Sequence, residues 1–281
     1  MIGAITGDVA GSVYERTRPG AKAVPLLSSR SRFTDDSVLT IAVASAILHD
    51  EDYGSSIRKW ARRYPYAGYE GRFKKWMSND EAGPYGSYGN GSAMRVSPVG
   101  WAFESLDRVL AEAERTAGPT HNHPEGVKGA QAVASAVFLA RTGSTAAEVE
   151  DFLADRFGYD CRGSLEKARR EPHFDVTCQG TVPTAAAVAF EASGVEGAIR
   201  SAVALGGDAD TIACIAGAIA EALHGGVPFD IQAGVFGRLD DTLRTVAVEF
   251  ALKYRLSLAP SLRGPGRPAR GSRGSGMRWK S

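Results

Sequence analysis

Residues 206–226, GGDADTIACIAGAIAEALHGG, join two acids and a threonine to a long apolar run that ends in two glycines. Between positions 211 and 224 the run is apolar on almost every side, a pattern typical of a helix buried in a protein core. Gly225 and Gly226 form a helix stop signal, because glycine readily takes the left-handed conformation at a helix C-terminus. The stretch therefore predicts a buried helix that begins at a pair of carboxylates.

The same small-residue composition recurs along the chain. It appears in residues 38–48 (VLTIAVASAIL), 129–141 (GAQAVASAVFLAR), 184–191 and 195–205. The period-two alternation between turn residues that is typical of β-strands is hard to find. We therefore predict an all-α fold in which many closely packed helices form one domain over residues 1–260.

The bulk composition is that of an ordinary soluble globular protein. Of 281 residues, 43% are hydrophobic and 23% charged, and a formal net charge of +1 gives no whole-chain attraction to nucleic acid or membranes. The three cysteines are far apart and form no CxxC pair, so neither a disulfide framework nor a zinc site is indicated. No stretch has the pattern of a signal peptide or a membrane span. We expect a cytoplasmic monomer without a membrane partner.

The final segment, residues 261–281 (SLRGPGRPARGSRGSGMRWKS), differs from the rest of the chain. It is rich in Arg, Gly and Pro and contains no acid, so it cannot bury enough apolar surface to fold alone. We predict a disordered basic tail. A solvated tail without a specific partner is the favoured interpretation, and weak binding to nucleic acid or another acidic surface is the alternative.

Two acidic clusters each stand directly before an apolar helix. Thr34-Asp35-Asp36 precedes residues 38–48, and Asp208-Ala209-Asp210-Thr211 precedes the helix described first. Helix capping is one explanation, since Asp and Thr are good N-caps and acids are favoured at the positive end of a helix. Capping needs only one such residue, however, and several carboxylates beside a buried helix repel each other unless a cation offsets them. Oxygen ligands without nearby His or Cys favour Mg²⁺ over Zn²⁺.

A fifth acid follows a glycine-spaced run near the start of the chain. Residues 7–15, GDVAGSVYE, end in Glu15, which could serve as a ligand or proton carrier at the edge of a site. Taken alone, a tightly packed helix with a solvated Glu15 is the better explanation of this run.

Residues 86–95, GSYGNGSAMR, form a flexible loop rich in hydrogen-bond donors. Glycine lets backbone N–H groups approach a phosphate, Ser87 and Asn90 supply polar contacts, and Tyr88 could stack on a base or ribose. The loop lacks the Lys of a Walker A motif and is not a GxGxxG fingerprint, so a plain surface turn is an equal alternative.

A His-x-His pair, His121 and His123, has no third His or Cys beside it, so a transition-metal site is disfavoured. Contact of a histidine with phosphate or ribose fits this pattern better. The chain also has neither a Gly-x-Ser-x-Gly elbow nor a recognisable protease cysteine. The acidic clusters are therefore the strongest chemical feature of the sequence.

Taken together, these motifs resemble those of the ADP-ribosylglycohydrolases, the family that includes the dinitrogenase reductase-activating glycohydrolase and the eukaryotic ADP-ribosylhydrolases. The resemblance lies in four ordered blocks, residues 3–15, 33–48, 86–98 and 205–228. The forms GDxxGSxYE and GSYGNGxAMR are most similar to the branch that removes ADP-ribose from serine and degrades its polymers and O-acetyl ester. The resemblance implies a compact orthogonal multi-helix fold with a two-metal cleft.

The resemblance also implies roles for individual residues. Two magnesium ions, for which manganese could substitute, would be held by Thr34, Asp35, Asp36, Asp208, Asp210 and Thr211. The ADP-ribose diphosphate and distal ribose would be lined by Gly86, Ser87, Tyr88, Gly89 and Asn90, with His121 close by. Glu15 matches the mobile-loop glutamate of the serine branch and is the expected acid–base group, with Asp36 second. Residues 50–80 and 151–179 carry no recognisable motif, which leaves the target-recognition surface unassigned.

The implied activity is magnesium-dependent hydrolysis of the bond between ADP-ribose and a target, with release of ADP-ribose. The target could be a protein side chain such as serine or arginine, O-acetyl-ADP-ribose, poly-ADP-ribose or a nucleic-acid base. Two alternatives remain open: a family member that binds ADP-ribose or has a structural role without turnover, and a metal-dependent nucleotide-diphosphate phosphohydrolase.

Overall fold

A computed structural model describes residues 1–15, 25–171 and 174–263 of the protein. Within these ranges the chain forms fifteen α-helices, and its one β-type pairing is an isolated bridge between Gly89 and Thr177. The all-α prediction is confirmed. The helices are α1 (Ile2–Gly11), α2 (Asp35–His49), α3 (Tyr53–Arg63), α4 (Gly71–Met77), α5 (Gly91–Met94), α6 (Ser97–Ala102), α7 (Leu106–Ala117), α8 (Pro124–Arg141), α9 (Ala146–Phe157), α10 (Cys161–Arg170), α11 (Cys178–Glu191), α12 (Val195–Leu205), α13 (Ala209–His224), α14 (Phe229–Phe236) and α15 (Asp241–Lys253).

Helix α13 is the centre of the core. All but its last two residues are buried, and α1, α8, α11 and α12 pack around it. The helix begins at Ala209, two positions before the apolar run predicted from the sequence, because the chain turns helical at the acids themselves. Gly225, directly after the helix, has a φ of 78°, the left-handed conformation expected of a glycine stop.

Helices α1 and α13 approach each other closely because glycines line the contact. Gly3, Gly7 and Gly11 recur every fourth position, so they share one face of α1. A Cβ atom at Gly3 or Gly7 would overlap the backbone carbonyl of Gly217 or Ala213 in α13. This close approach brings the polar residues of α1 to the first turn of α13.

The other predicted helices lie within observed ones. Residues 38–48 belong to α2, 129–141 to α8 and 184–191 to α11, while 195–205 coincide with α12. Within the predicted loop 86–95, residues Gly91–Met94 instead form the short helix α5, since Ala93 N and Met94 N donate to the carbonyl of Asn90. No helix in the described ranges is long and apolar enough to cross a membrane.

The predicted boundary at residue 260 is crossed by a short 3-10 turn, Pro260–Leu262, whose Leu262 packs partly buried against the core. Most of the predicted basic tail, residues 264–281, lies outside the described residues.

Candidate active site

The two acidic clusters come together at the starts of α2 and α13. The hydroxyl of Thr211 donates to Asp36 Oδ2 at 3.3 Å, and the hydroxyl of Thr34 lies 3.5 Å from the same oxygen. Both acids are buried among apolar helices: Asp36 is 2% exposed and Asp210 is 7% exposed. The structure thus brings residues 175 positions apart in sequence into one acidic centre, defined here as Thr34, Asp35, Asp36, Asp208, Asp210 and Thr211.

Asp8 of α1 organises the start of α2 from below this centre. Its carboxylate accepts four hydrogen bonds: from Thr34 N at 2.9 Å, from Thr34 Oγ1 at 2.6 Å, from Ser37 N at 3.1 Å and from Ser37 Oγ. The Thr34 hydroxyl gives its proton to Asp8 and accepts from Asp36 N at 3.4 Å, so one lone pair of Thr34 Oγ1 remains for another partner. Asp8 therefore orients the Thr34 hydroxyl at the start of α2.

One oxygen of the centre has no hydrogen-bond partner in the described part of the chain. Asp36 Oδ1 is buried and unpaired, and leaving a charged acceptor unsatisfied in this way costs free energy. Carboxylate oxygens of Asp8, Asp36 and Asp210 all lie within 4.8 Å of one another. Three buried acids so close, with an orphaned oxygen among them, could hold a metal ion.

The ionisation of these acids supports the same conclusion. Burial, and then the charge of the neighbouring acids, raises the pKa of Asp36 and the pKa of Asp210 well above their usual range. Burial also raises the pKa of Asp208 to about 6, and burial together with the Asp8 charge raises the pKa of the half-buried Asp35 to about 7. Burial and mutual repulsion therefore disfavour the fully charged state of these acids unless a cation or protons offset it.

Asp35 lies at the rim of the centre rather than at its bottom. Its backbone N–H donates to the carbonyl of Ala67 at 2.8 Å, and its carboxylate faces Gly68, where a Cβ would lie 3.0 Å from Oδ1. Gly68 has a φ of 119°, which a glycine adopts freely. Ala67 and Gly68, in the segment without a sequence motif, therefore border the site at Asp35.

The glycine-rich loop borders the centre through Asn90. The amide of this buried residue donates to Asp208 Oδ2 at 2.6 Å and to Thr181 Oγ1 at 3.1 Å. Its backbone N–H donates to the carbonyl of Val176 at 2.7 Å. The loop is thus tied on one side to the acidic centre and on the other to the start of α11.

The rest of the loop is held by the chain that follows α7. Gly86 N donates to Asn122 Oδ1 at 2.8 Å, and Ser87 N donates to the carbonyl of Thr120 at 3.2 Å. Tyr88 is 48% exposed, with its ring centroid 5.3 Å from that of His123. The loop therefore presents an exposed aromatic ring beside a polar backbone.

The two histidines of the His-x-His pair have different environments. His123 caps α8, with its Nδ1 accepting from Glu125 N. His121 is 5% exposed and lies under the loop, where a Cβ at Gly91 would be 3.1 Å from its Nε2 atom. Only His121 faces the candidate site.

Glu15 is exposed and follows the last turn after α1, directly before residues 16–24, which lie outside the described ranges. Its charge contributes to the raised pKa of Asp35, of Asp208 and of Asp210, so it lies near the acidic centre. The role predicted for Glu15 stays a prediction, as do the ligand roles of the acids.

Sequence reasoning missed Asp8 as an organising residue, and it missed the contacts of Ala67 with Asp35 and of Val176 with Asn90. The four-residue spacing of Gly3, Gly7 and Gly11 could have indicated a close helix contact around Asp8. The contacts of Ala67 and Val176 have no comparable signal, because they are made by backbone carbonyls, which any sequence provides.

Comparisons with known proteins agree with this geometry. The sequence profile of the ADP-ribosylglycohydrolase family matches residues 1–259. The ADP-ribosylhydrolase ARH3 of Danio rerio is 27% identical in a match that covers 87% of this chain and 88% of the relative. The ARH3 of Homo sapiens is 28% identical in a match that covers 80% of this chain and 84% of the relative.

A solved structure, described as an ADP-ribosylglycohydrolase-related protein complex, superposes on this chain with a TM-score of 0.64. The superposition covers 91% of this chain and 97% of the other, and because the sequence identity is 24% it supports the fold alone. The profile match and the ARH3 relatives indicate a glycosyl hydrolase that acts on ADP-ribosyl bonds. The chain belongs to the ADP-ribosylglycohydrolase family.

Proposed function

We propose that the protein hydrolyses the glycosidic bond between the distal ribose of ADP-ribose and a modified target in a magnesium-dependent reaction. One observation carries this proposal: Asn90 joins the acidic centre to the glycine-rich loop by its 2.6 Å hydrogen bond to Asp208. A cation site beside a polar, glycine-rich loop matches a substrate that has a diphosphate next to a hydroxyl-rich ribose.

The proposed ligands are the six residues of the acidic centre. All offer hard oxygen atoms, which favours Mg²⁺, with Mn²⁺ as a substitute, and six such groups are enough for two ions. Bound ions would supply Lewis-acid chemistry and orient the ribose hydroxyls at the reacting carbon. The buried Asp36 Oδ1, which has no other partner among the described residues, supports a cation at this position.

Residues of the glycine-rich loop would bind the substrate, and a carboxylate would transfer the proton. Gly86, Ser87 and Gly89, together with Asn90 and His121, would line the diphosphate and ribose, and the exposed ring of Tyr88 would stack on the ligand. Glu15, near the centre and exposed, would carry the proton that glycoside hydrolysis requires, with Asp36 as the second candidate.

The motif forms at residues 7–15 and 86–95 favour serine-linked ADP-ribose, its polymers and its O-acetyl ester over the arginine linkage. The expected partner is an ADP-ribosylated protein or a small ADP-ribose conjugate, and the expected protein is a cytoplasmic monomer. A phosphohydrolase and a binding protein without turnover are the competing functions.

The test is product release. The protein is incubated with serine-linked and arginine-linked ADP-ribosyl peptides, with magnesium or with chelator, and the products are separated by mass. We expect free ADP-ribose from the serine-linked peptide, in magnesium only. Formation of AMP and ribose phosphate would instead establish the phosphohydrolase, and tight binding of ADP-ribose without any product would establish the binding protein.

A further inference from the structure

Arg95, at the end of α5, is a buried cation without an acidic partner. Its side chain is fully buried, and within the described chain it forms no ion pair with a carboxylate. Burial lowers the pKa of Arg95 to about 10, so the guanidinium is still charged at neutral pH. Buried charges are ordinarily paired, and an unpaired one is costly. The surroundings of the guanidinium must therefore offset this cost in another way.

The Nη2 group of Arg95 is directed at the C-terminal end of α7 and the turn after it, while Nε and Nη1 have no hydrogen-bond partner among the described residues. Nη2 donates to the carbonyl of Thr116 at 2.7 Å and to Thr120 Oγ1 at 2.8 Å. The carbonyl end of a helix carries partial negative charge, which offsets part of the cost of burying the guanidinium. Arg95 thereby fixes the hydroxyl of Thr120 as an acceptor.

The hydroxyl of Thr120 also contacts His121, so its orientation determines the hydrogen bond at the imidazole. Thr120 is fully buried, and among the described residues its hydroxyl has two hydrogen-bond partners, Arg95 Nη2 and His121 Nδ1, the latter at 2.7 Å. Because the guanidinium can only donate, the hydroxyl proton has one acceptor left, which is His121 Nδ1. An Nδ1 atom that accepts a hydrogen bond carries no proton.

The proton of the imidazole must then reside on Nε2. Burial, followed by the charge of Arg95, holds the pKa of His121 well below its usual range, so the ring is neutral. Its Nε2 atom lies under the glycine-rich loop, 3.1 Å from the position that a Cβ at Gly91 would take and 3.8 Å from that at Gly89.

We propose that Arg95 and Thr120 are positioning residues that fix His121 as the neutral Nε2–H tautomer, so that the imidazole presents a hydrogen-bond donor to a ligand oxygen at the glycine-rich loop. The identity of that oxygen, in the diphosphate or ribose of ADP-ribose, rests on the proposed function; the tautomer does not. A neutral donor binds the ligand without adding a second buried charge beside Arg95.

The experiment is long-range ¹H–¹⁵N NMR of the imidazole in the full chain labelled at histidine, combined with calorimetric titration of ADP-ribose. In the wild-type protein we expect one neutral species of His121, protonated at Nε2, with the Nδ1 resonance shifted as for a hydrogen-bond acceptor. Protonation at Nδ1 would overturn the proposal, and this measurement requires no variant to fold.

Variants then isolate the role of the hydroxyl. Thr120→Val keeps the shape of the side chain but removes the donor to Nδ1, so we expect the acceptor shift to disappear and ADP-ribose to bind about tenfold more weakly. Thr120→Ser should restore both. Thr116→Val is the matched control, because it removes another buried hydroxyl of the same region while keeping the Thr116 carbonyl that Arg95 contacts.

The outcomes separate the two proposals. An unchanged Nδ1 resonance and unchanged affinity in Thr120→Val would overturn the positioning role. A wild-type protein with the expected tautomer that does not bind ADP-ribose would contradict the proposed function and leave the tautomer assignment intact.

Discussion

Two helix starts in this protein have similar sequences and opposite surroundings. Helix α15 starts at Asp240-Asp241-Thr242 and α2 at Thr34-Asp35-Asp36. The carboxylate of Asp240 is exposed and caps α15, accepting from Thr242 N at 2.9 Å and Leu243 N at 3.0 Å. At α2 the cap is Thr34, and the second acid, Asp36, is buried with one unpaired oxygen.

The start of α13 extends this contrast. Its N-cap residue, Asp208, makes no side-chain capping hydrogen bond and instead accepts from Asn90. The comparison shows that acids at a helix start act as ordinary caps in α15 and form an acidic centre at α2 and α13. Burial by α1 and the link to the glycine-rich loop distinguish them, rather than the acids themselves.

The sharpest test of the contrast replaces one first-turn acid in each region. Asp210→Asn should lower the rate of ADP-ribose release about a thousandfold, since it removes a proposed ligand in the buried centre. Asp241→Asn, in the first turn of α15 and 96% exposed, should change the rate by less than about twofold. Equal losses in both variants, measured at saturating magnesium, would contradict the assignment.

A second test separates α1 from α13. Gly7→Ala places a methyl group against the Ala213 carbonyl and should destabilise the protein by about 3 kcal/mol, seen as a lower thermal midpoint. Gly197→Ala in α12 is the control: its new Cβ would meet only the Cβ of Ala192 at 4.0 Å, so stability should stay level or rise by about 0.5 kcal/mol. A harmless Gly7→Ala would show that the close helix contact does not hold the centre together.

A third test concerns the residue beneath the centre. Asp8→Asn replaces two of the acceptor sites of its carboxylate with a donor, so Thr34 and the start of α2 lose their fixed orientation. We expect magnesium to bind about tenfold to a hundredfold more weakly, by calorimetry. Asp52→Asn alters an exposed capping aspartate of α3 and should leave magnesium affinity unchanged.

The smallest expected effect is a dependence of stability on pH. The folded-state pKa values of Asp208 and Asp35, about 6 and about 7, lie above the value of 3.8 expected in the unfolded chain. The folded protein therefore binds more protons than the unfolded chain in this window, and in chelator its free energy of unfolding should lose this contribution as pH rises from about 4 to about 7.

This pH effect is measured as the difference between the wild type and Asp35→Asn in thermal midpoints across that window. Saturating magnesium should reduce the difference, because bound cation replaces the protons. A wild type that gains stability relative to Asp35→Asn as pH rises in chelator would show that Asp35 is not held in a proton-favouring environment.

The sequence predicts the helical class and the central helix because the Ala-rich runs are apolar on almost every face. The residue pattern alone predicts the acidic centre as two separate clusters, since nothing in residues 34–36 or 208–211 shows that their helices meet, and only the family resemblance joins them in one cleft. Within residues 7–15 the sequence points to Glu15 as the functional acid and not to Asp8. The role of Asp8 depends on its hydrogen bonds from Thr34 and Ser37, which the sequence does not show. Helices such as α3, α9 and α10 carry mixed surface residues and were not predicted individually.

The contact between Gly11 and Asp210 has a consequence for how the site moves. The backbone of α1 packs directly on the backbone of Asp210, so a Cβ at Gly11 would overlap its Cα atom. Asp210 is thus built into the first turn of the central helix, and the backbone amides of the buried turns that follow it should exchange with deuterium only through global unfolding. Residues 86–89 are more exposed and lie outside the helices, so we expect their amides to exchange through smaller, local openings. On the proposed function, the parts of the protein that retain the cation and that line the substrate would then differ in local stability.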